Sequence, residues 1–261
     1  MNFVDKTVLI TGAASGIGNA IAKNFAKLSA NLSLLDINKD NLYKVAEECE
    51  NLSKITVIKF VIDVSNDTEL KQAVNETVKE LNKIDVLINC AGILSSVNIT
   101  DSDILEVYDK VLRVNLRSVI AATHFAAPAL IESKGCIVNI SSVMSKLVCE
   151  RAIPYNVSKA GITHLTKCVA LELAKYGVRV NCIAPGIVRT NILENNGYSK
   201  ERRQEIEKSC LNKNLIKQII KAEEIAELAA YLASNKAVSI TGTEFVIDCG
   251  MTIFSQHCNL N

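Results

Sequence analysis

The sequence predicts a doubly wound α/β fold: one parallel sheet of about seven strands with helices on both faces. Three observations predict it. Short β-branched runs alternate with longer amphipathic segments, which calls for crossover connections and a parallel sheet. The strand-like runs are apolar throughout, as in Cys136-Ile137-Val138, which suits burial on both faces. No low-complexity linker or repeat divides the 261 residues, so residues 1–261 read as a single domain.

Taken in order, the predicted strands are Thr7–Ile10, Leu32–Leu35, Thr56–Ile62, Val86–Ile88, Ile137–Ile140, Val178–Ile183 and Glu244–Ile247. The predicted helices between them are Ile17–Ser29, Asp40–Glu50, Thr68–Leu81, Asp103–Ile131, Tyr155–Tyr176 and Glu223–Ala233. Val188–Gln218 reads as the least regular part. It is polar, contains Asn195-Asn196-Gly197 and interrupts the alternation late. Loops at the carboxyl ends of strands form the binding crevice of such folds, so this segment is a candidate substrate lid.

Bulk properties exclude several classes. With 49% hydrophobic and 22% charged residues the chain is globular. Its 29 basic and 28 acidic residues leave a net charge of +1, with no basic surplus for nucleic acid. The N-terminus has no signal-peptide pattern, and the longest apolar stretches look strand-sized, so no membrane span is expected. The final Cys258-Asn259-Leu260-Asn261 matches no lipidation pattern. The expected location is cytoplasmic.

Nine cysteines are scattered, with no pair spaced C-x-x-C. They read as small buried hydrophobes in a reducing compartment. No metal site is expected: His124, His164 and His257 are far apart in sequence and read as packing or surface residues.

Thr11-Gly12-Ala13-Ala14-Ser15-Gly16-Ile17-Gly18 follows the first strand and opens a helix. Glycines let the backbone approach a pyrophosphate, and the helix N-terminus offers free N–H groups and a positive dipole end. No Gly-Lys-Ser/Thr follows, which argues against a triphosphate loop. Asp36 ends the second strand, about 20 residues past the turn, where a carboxylate can accept from an adenine-ribose diol. With no Arg or Lys in the turn and Ile37 next to Asp36, a 2′-phosphate would meet an uncompensated carboxylate. NAD is therefore the expected cofactor.

Tyr155 and Lys159 stand at i and i+4, on one helix face. A nearby cation lowers a phenol from its usual pKa of about 10. Pro154 suggests a helix start, where the dipole also favours negative charge. Such pairs are common by chance, so the signal is weak alone. The strand Ile137–Ile140 strengthens it by ending in Ser141-Ser142, hydroxyls at the binding edge.

Together these motifs resemble the short-chain dehydrogenase/reductase family, over Lys6 to Gly250, and look most like its 3-oxoacyl-carrier-protein reductase-like members. The fold implied is of the Rossmann type. The resemblance assigns cofactor contacts to Gly12, Ser15, Gly16, Ile17, Gly18 and Asp36, and an adenine-side acid to Asp63 with Val64. The family's Asn-Asn-Ala-Gly motif is similar to Asn89-Cys90-Ala91-Gly92, with Cys90 in a position of mostly structural role. Pro185, Gly186, Val188 and Thr190 match the stretch beside nicotinamide.

Asn115, Ser142, Tyr155 and Lys159 match the catalytic set. The resemblance implies that Tyr155 exchanges a proton with the substrate oxygen, which Ser142 holds. Lys159 lowers the Tyr155 pKa and binds the nicotinamide ribose, and Asn115 keeps a water beside Lys159. Hydride then moves between NAD(H) and a carbonyl or secondary alcohol.

Asp248-Cys249-Gly250 departs from the Asp-Gly-Gly of many members. The partners expected are a small-molecule substrate and copies of the same chain, as a homotetramer. Apolar Val119, Ile120, Leu165 and Val169 on the two long helices suggest helix pairing across a two-fold axis. The rival reading is a non-catalytic NAD-binding regulatory protein on the same fold. Retention of all four catalytic matches argues against it.

Overall fold

The computed structural model describes residues 1–190 and 192–255. Seven parallel strands stand in the order β3-β2-β1-β4-β5-β6-β7. They are β1 (Thr7–Thr11), β2 (Asn31–Asp36), β3 (Val57–Val61), β4 (Val86–Asn89), β5 (Cys136–Ile140), β6 (Arg179–Pro185) and β7 (Glu244–Ile247). The winding reverses between β1 and β4, which pair from Val8↔Val86 to Thr11↔Asn89. The two chain directions part there and leave a crevice at the strands' carboxyl ends.

Alternation along the strands divides the core. Val8, Ile10, Leu32, Leu34, Val86, Ile88 and Val138 face one side. There they meet α1 (Gly16–Lys27), α2 (Lys39–Leu52) and, later in the chain, α9 (Ala222–Ala233). Leu9, Leu35, Leu87, Ile137 and Val180 face the other side. Their cover is α3 (Asp67–Leu81), α5 (Ser118–Ser133) and α6 (Ile153–Leu173). The strands are apolar on both faces because both faces are covered.

The sequence expectation of one unbroken helix over Asp103–Ile131 needs correction. The helix is α4 (Ile104–Leu112), a π-helical turn over Arg113–Arg117, then α5. The π turn carries Asn115, which is fully buried. Inserting a residue into the helical ladder re-aims a side chain, which hydrophobic periodicity cannot report. Ile104–Ser133 is also long and apolar enough to cross a membrane by length and composition, contrary to the strand-sized reading. In this fold it packs instead against α3 and α6.

Val188–Gln218 is not irregular. It holds α7 (Ile192–Asn195) and α8 (Lys200–Lys213). Helix α8 buries no residue, so it has no apolar stripe for the eye to find. Val188 bridges Ile220, and Arg189 N donates to Ile220 O at 2.9 Å. The segment is therefore an excursion closed at its base. A short helix, α10 (Met251–Ser255), ends the described chain.

Two smaller expectations also change. Val119 is buried within the chain and offers nothing to a partner. Ile120 is half exposed, while Leu165 and Val169 are partly buried. Among the described cysteines only Cys49, Cys136 and Cys182 are buried; Cys149 and Cys168 are exposed. Cys258 and His257 lie outside the described residues. His124 and His164 are exposed.

Candidate active site

The glycine turn joins β1 to α1 at the reversal point. Gly12 has φ +69°, and a Cβ there would lie 2.8 Å from the Ala91 backbone. A Cβ on Gly18 would lie 2.0 Å from the Gly12 carbonyl oxygen. Only glycine allows these approaches. Thr11 Oγ1 accepts from Cys90 N at 3.1 Å and Ala91 N at 3.3 Å, stapling the end of β1 to the turn after β4. Ser15 precedes α1 in extended conformation and makes no side-chain cap, so the helix start keeps unpaired N–H groups for an anion. Thr190 stands over this start, about 3.1 Å from where a Gly16 Cβ would be.

Cys90, in the turn after β4, is partly buried, and desolvation pushes its thiol up to about 12. The Asn89 side chain, at the end of β4, is buried and donates to Asn139 Oδ1 at 2.8 Å.

Asp36 ends β2 beside the glycine turn. Its Oδ2 accepts from Ala14 N at 2.9 Å and its Oδ1 from Asn38 N at 2.9 Å. Each oxygen keeps a lone pair for a ribose hydroxyl. Ile62 N donates to Asp36 O at 3.0 Å, which brings Asp63 and buried Val64 beside it. Glycines free of side chains, open helix N–H groups and a fixed carboxylate suit a dinucleotide. Gly92, Pro185, Gly186 and Val188 complete the rim at the ends of β4 and β6. The Gly186 α-carbon is so close to Asp248 that a Cβ would meet its Cα at 3.0 Å.

Ser142, Tyr155 and Lys159 converge at the end of β5 and the start of α6. Pro154 opens α6, where its missing N–H costs nothing. Ser142 Oγ accepts from Met144 N at 3.1 Å. Lys159 Nζ donates to Ile140 O at 2.9 Å and lies 5.6 Å from the Tyr155 ring centroid.

Burial pushes Lys159 down to about 8. Burial also raises Tyr155, opposed by a hydrogen bond with Ser142. The expected lowering of Tyr155 by Lys159 is therefore not found: desolvation outweighs the hydrogen bond with Ser142, and the direction is upward.

Asn115 Oδ1 accepts from Ile93 N at 2.8 Å, and its Nδ2 donates to Ile93 O at 2.9 Å and Ser158 Oγ at 3.1 Å. Its side chain thus clamps the loop after β4 to α6. Ser158 was missed by sequence reasoning although it lies inside the Tyr155–Lys159 stretch; a hydroxyl three residues after the tyrosine was the available signal. Across the crevice, Leu94 N donates to Asn196 Oδ1 at 3.3 Å, linking this loop to the α7–α8 excursion.

Comparison with known proteins agrees along nearly the whole chain. A family model described as enoyl-(acyl carrier protein) reductase matches residues 12–252. A 3-oxoacyl-[acyl-carrier-protein] reductase of Thermotoga maritima is 35% identical over 97% of this chain and 100% of its own length. A meso-2,3-butanediol dehydrogenase of Serratia marcescens is 33% identical, over 97% and 96% of the two chains. A Caenorhabditis elegans short-chain dehydrogenase/reductase, solved with cofactor, superposes with a TM-score of 0.90 at 32% identity, covering 96% of each chain. An L-sorbose reductase of Gluconobacter frateurii, complexed with NADPH and L-sorbose, gives 0.88 at 26% identity, covering 96% and 98%. The likeness spans the sheet, the glycine turn and the late excursion together and does not rest on any one motif: the chain belongs to the short-chain dehydrogenase/reductase family, oxidoreductases that use a nicotinamide cofactor and act on small molecules.

Proposed function

We propose that this protein is an NAD(H)-dependent oxidoreductase that interconverts a moderately apolar ketone and its secondary alcohol. The observation that carries the reading is the convergence of Ser142, Tyr155 and Lys159 beside the glycine turn. The nicotinamide, when bound, supplies or accepts the hydride. The chain's own residues do the rest.

Tyr155 holds the proton at its phenol oxygen and passes it to the substrate oxygen. Its raised pKa keeps it protonated at neutral pH, which suits a donor in carbonyl reduction; alcohol oxidation gains as pH rises. Ser142 hydrogen-bonds the same oxygen and stabilises its developing charge. Lys159, pushed down to about 8, stays largely charged at neutral pH, binds the nicotinamide ribose and favours the phenolate when it forms. Asn115 fixes the Ile93 loop against α6, and with it the proton path beside Lys159.

The apolar side chains Val143, Met144, Ile187, Ile192 and Leu193 near the strand ends support an apolar substrate. The substrates in the names of relatives range from 3-oxoacyl-[acyl-carrier-protein] to meso-2,3-butanediol and L-sorbose, so the panel must be broad. Alcohols with NAD and ketones with NADH, followed at the NADH absorbance band, test the reaction. Turnover of at least one pair is expected; NADH binding without any turnover would favour the non-catalytic reading.

Asp36 supports NAD over NADP. A 2′-phosphate beside its carboxylate costs on the order of 1–4 kcal/mol, roughly a ten- to thousandfold bias. Lys39, three positions on, is exposed and lies over the Tyr43 ring at 6.0 Å, so it is turned to another task. A higher kcat/KM with NAD is expected, with Asp36→Ala narrowing the ratio. A preference for NADP, or a ratio untouched by Asp36→Ala, would overturn the assignment. A cytoplasmic homotetramer belongs to the same proposal. Half-exposed Ile120 and exposed Leu105 and Leu171 on α4, α5 and α6 support helix pairing, and a monomer mass in light scattering would refute it.

A further inference from the structure

We propose that Glu244 is a positioning residue that sets the Ser142 turn and the Lys159 segment of α6 relative to each other. The inference rests on the oxidoreductase reading of that site. Glu244 opens β7, and its side chain is 10% exposed. It makes three polar contacts. Its Oε1 accepts from Ser145 Oγ at 2.9 Å and from Thr163 Oγ1 at 3.2 Å. Its Oε2 pairs with Lys146 Nζ at 2.6 Å.

These partners belong to the two elements that carry the chemistry. Ser145 ends the short 3-10 turn that begins directly after Ser142, and Lys146 follows it. Thr163 lies on α6 one helical turn past Lys159. Thr163 Oγ1 and Ser141 Oγ are 2.9 Å apart, and Ser141 Oγ donates to Lys159 O at 3.0 Å.

The hydrogens have one consistent direction. Each hydroxyl has a single hydrogen, and a carboxylate only accepts. Ser145 and Thr163 therefore donate to Glu244, and Ser141 shares its hydrogen between Thr163 Oγ1 and Lys159 O. The carboxylate terminates a chain that runs from β7 to the residue before Ser142 and to the backbone of Lys159. A methyl or apolar side chain at 244 would leave the Thr163 and Ser145 hydroxyls without their acceptor in a half-buried place, where an unmet donor is costly. The Ser142 turn would then be free to shift against Tyr155. Shifts near 1 Å at a reacting centre cost up to about a hundredfold in rate.

The test uses Glu244→Leu and Glu244→Gln in the full chain. Glu244→Leu should lower kcat on the order of tenfold or more, with NADH affinity and cofactor KM nearly unchanged. Glu244→Gln keeps an acceptor oxygen for both hydroxyls and should recover most of the loss. Wild-type kcat in Glu244→Leu, or equal loss in both variants with NADH binding intact, would overturn the proposal. Should Glu244→Leu fail to fold, Thr163→Val cuts the link to Ser141 while sparing the Lys146 pair. Its kcat should fall by about threefold to tenfold, the scale of one hydrogen bond, and an unchanged kcat would count against the proposal. If the unmodified protein binds NADH but turns over no substrate, the oxidoreductase reading is what fails. The network is then read from amide exchange at Met144, Ser145 and Lys146. Faster exchange in Glu244→Leu but not in Glu244→Gln supports the anchor; equal protection in all three proteins overturns it.

Discussion

The floor of the crevice and the α7–α8 excursion above it are built on opposite principles. In the floor, Asn115, Ser142 and Lys159 are each less than a tenth exposed, and each has a named hydrogen-bond partner. Buried polar groups satisfied in this way fix one geometry, because every alternative strands a donor or acceptor. In the excursion, α8 buries nothing. Its ion pairs are Arg203–Glu194 at 2.6 Å, Arg189–Glu207 at 3.2 Å and Arg202–Glu205 at 2.8 Å, all on exposed side chains except the partly buried Arg203. Water offers the same charges nearly equal partners, so such pairs contribute about 0–1 kcal/mol each. The lesson is a division of labour: rate resides where geometry is fixed, and substrate accommodation where it is loosely held.

The strongest way to break that division is Tyr155→Phe. It keeps the ring in its partly buried site and removes only the hydroxyl beside Ser142. Turnover should fall by about 10² or more, with NADH binding nearly kept. Near-normal turnover in a folded variant would mean that the floor's fixed geometry is not where the proton moves.

A second test sharpens what burial does to the floor. Folded Lys159 loses its proton near 8 and unfolded Lys159 near 10.5. Between those values the unfolded chain binds more protons, so stability rises with pH. Four thiols raised by desolvation act in the opposite sense. Cys49 and Cys90 are pushed from 9.0 up to about 12, and Cys136 and Cys182 up to about 11. Above 9 the folded chain holds protons that the unfolded chain releases, and stability falls by about 1.4 kcal/mol per pH unit for each group fully engaged. Tyr155, also raised, adds to the fall above 10. Urea unfolding under reducing conditions should therefore show stability rising between about pH 7 and 8, where Lys159 outweighs the thiols, and declining above about pH 8.5. Lys159→Met should abolish the rise and steepen the decline; the same slope in both proteins would show that Lys159 does not carry the buried charge assigned to it.

Legibility in the sequence followed the same boundary. Strands such as Thr7–Thr11 and Cys136–Ile140, buried at every position, announce themselves because burial on both faces leaves mostly apolar residues, with Thr7, Thr11 and Asn139 the polar exceptions. The glycine turn was readable because Gly12 and Gly18 sit where no Cβ fits. Asn115 was found by resemblance, but its π turn was not, since a one-residue insertion leaves the apolar pattern nearly intact. Helix α8 was lost because its sequence, Lys200–Lys213, has no stripe to bury. Glu244 was invisible for another reason: a lone carboxylate at a strand start reads as a surface residue until Ser145, Lys146 and Thr163 arrive from two distant segments.

The smallest expected effect tests the excursion itself. Arg203→Ala removes the cation paired with Glu194 and with it the tie between α7 and α8. Because Glu194 is well exposed, water takes the place of the lost partner, and the unfolding midpoint should shift by no more than the equivalent of about 1 kcal/mol. The floor should not register the change, so kcat with a small substrate should stay within about twofold of the parent, the size of a surface substitution. Amide exchange over Ile192–Lys213 should be fast in the free protein, rise further in Arg203→Ala and slow on addition of cofactor with substrate. Equal protection with and without ligand would remove the closing role from the excursion. A stability loss of several kcal/mol would go further and show that α8 is held by more than exposed ion pairs, which would erase the contrast between the two regions.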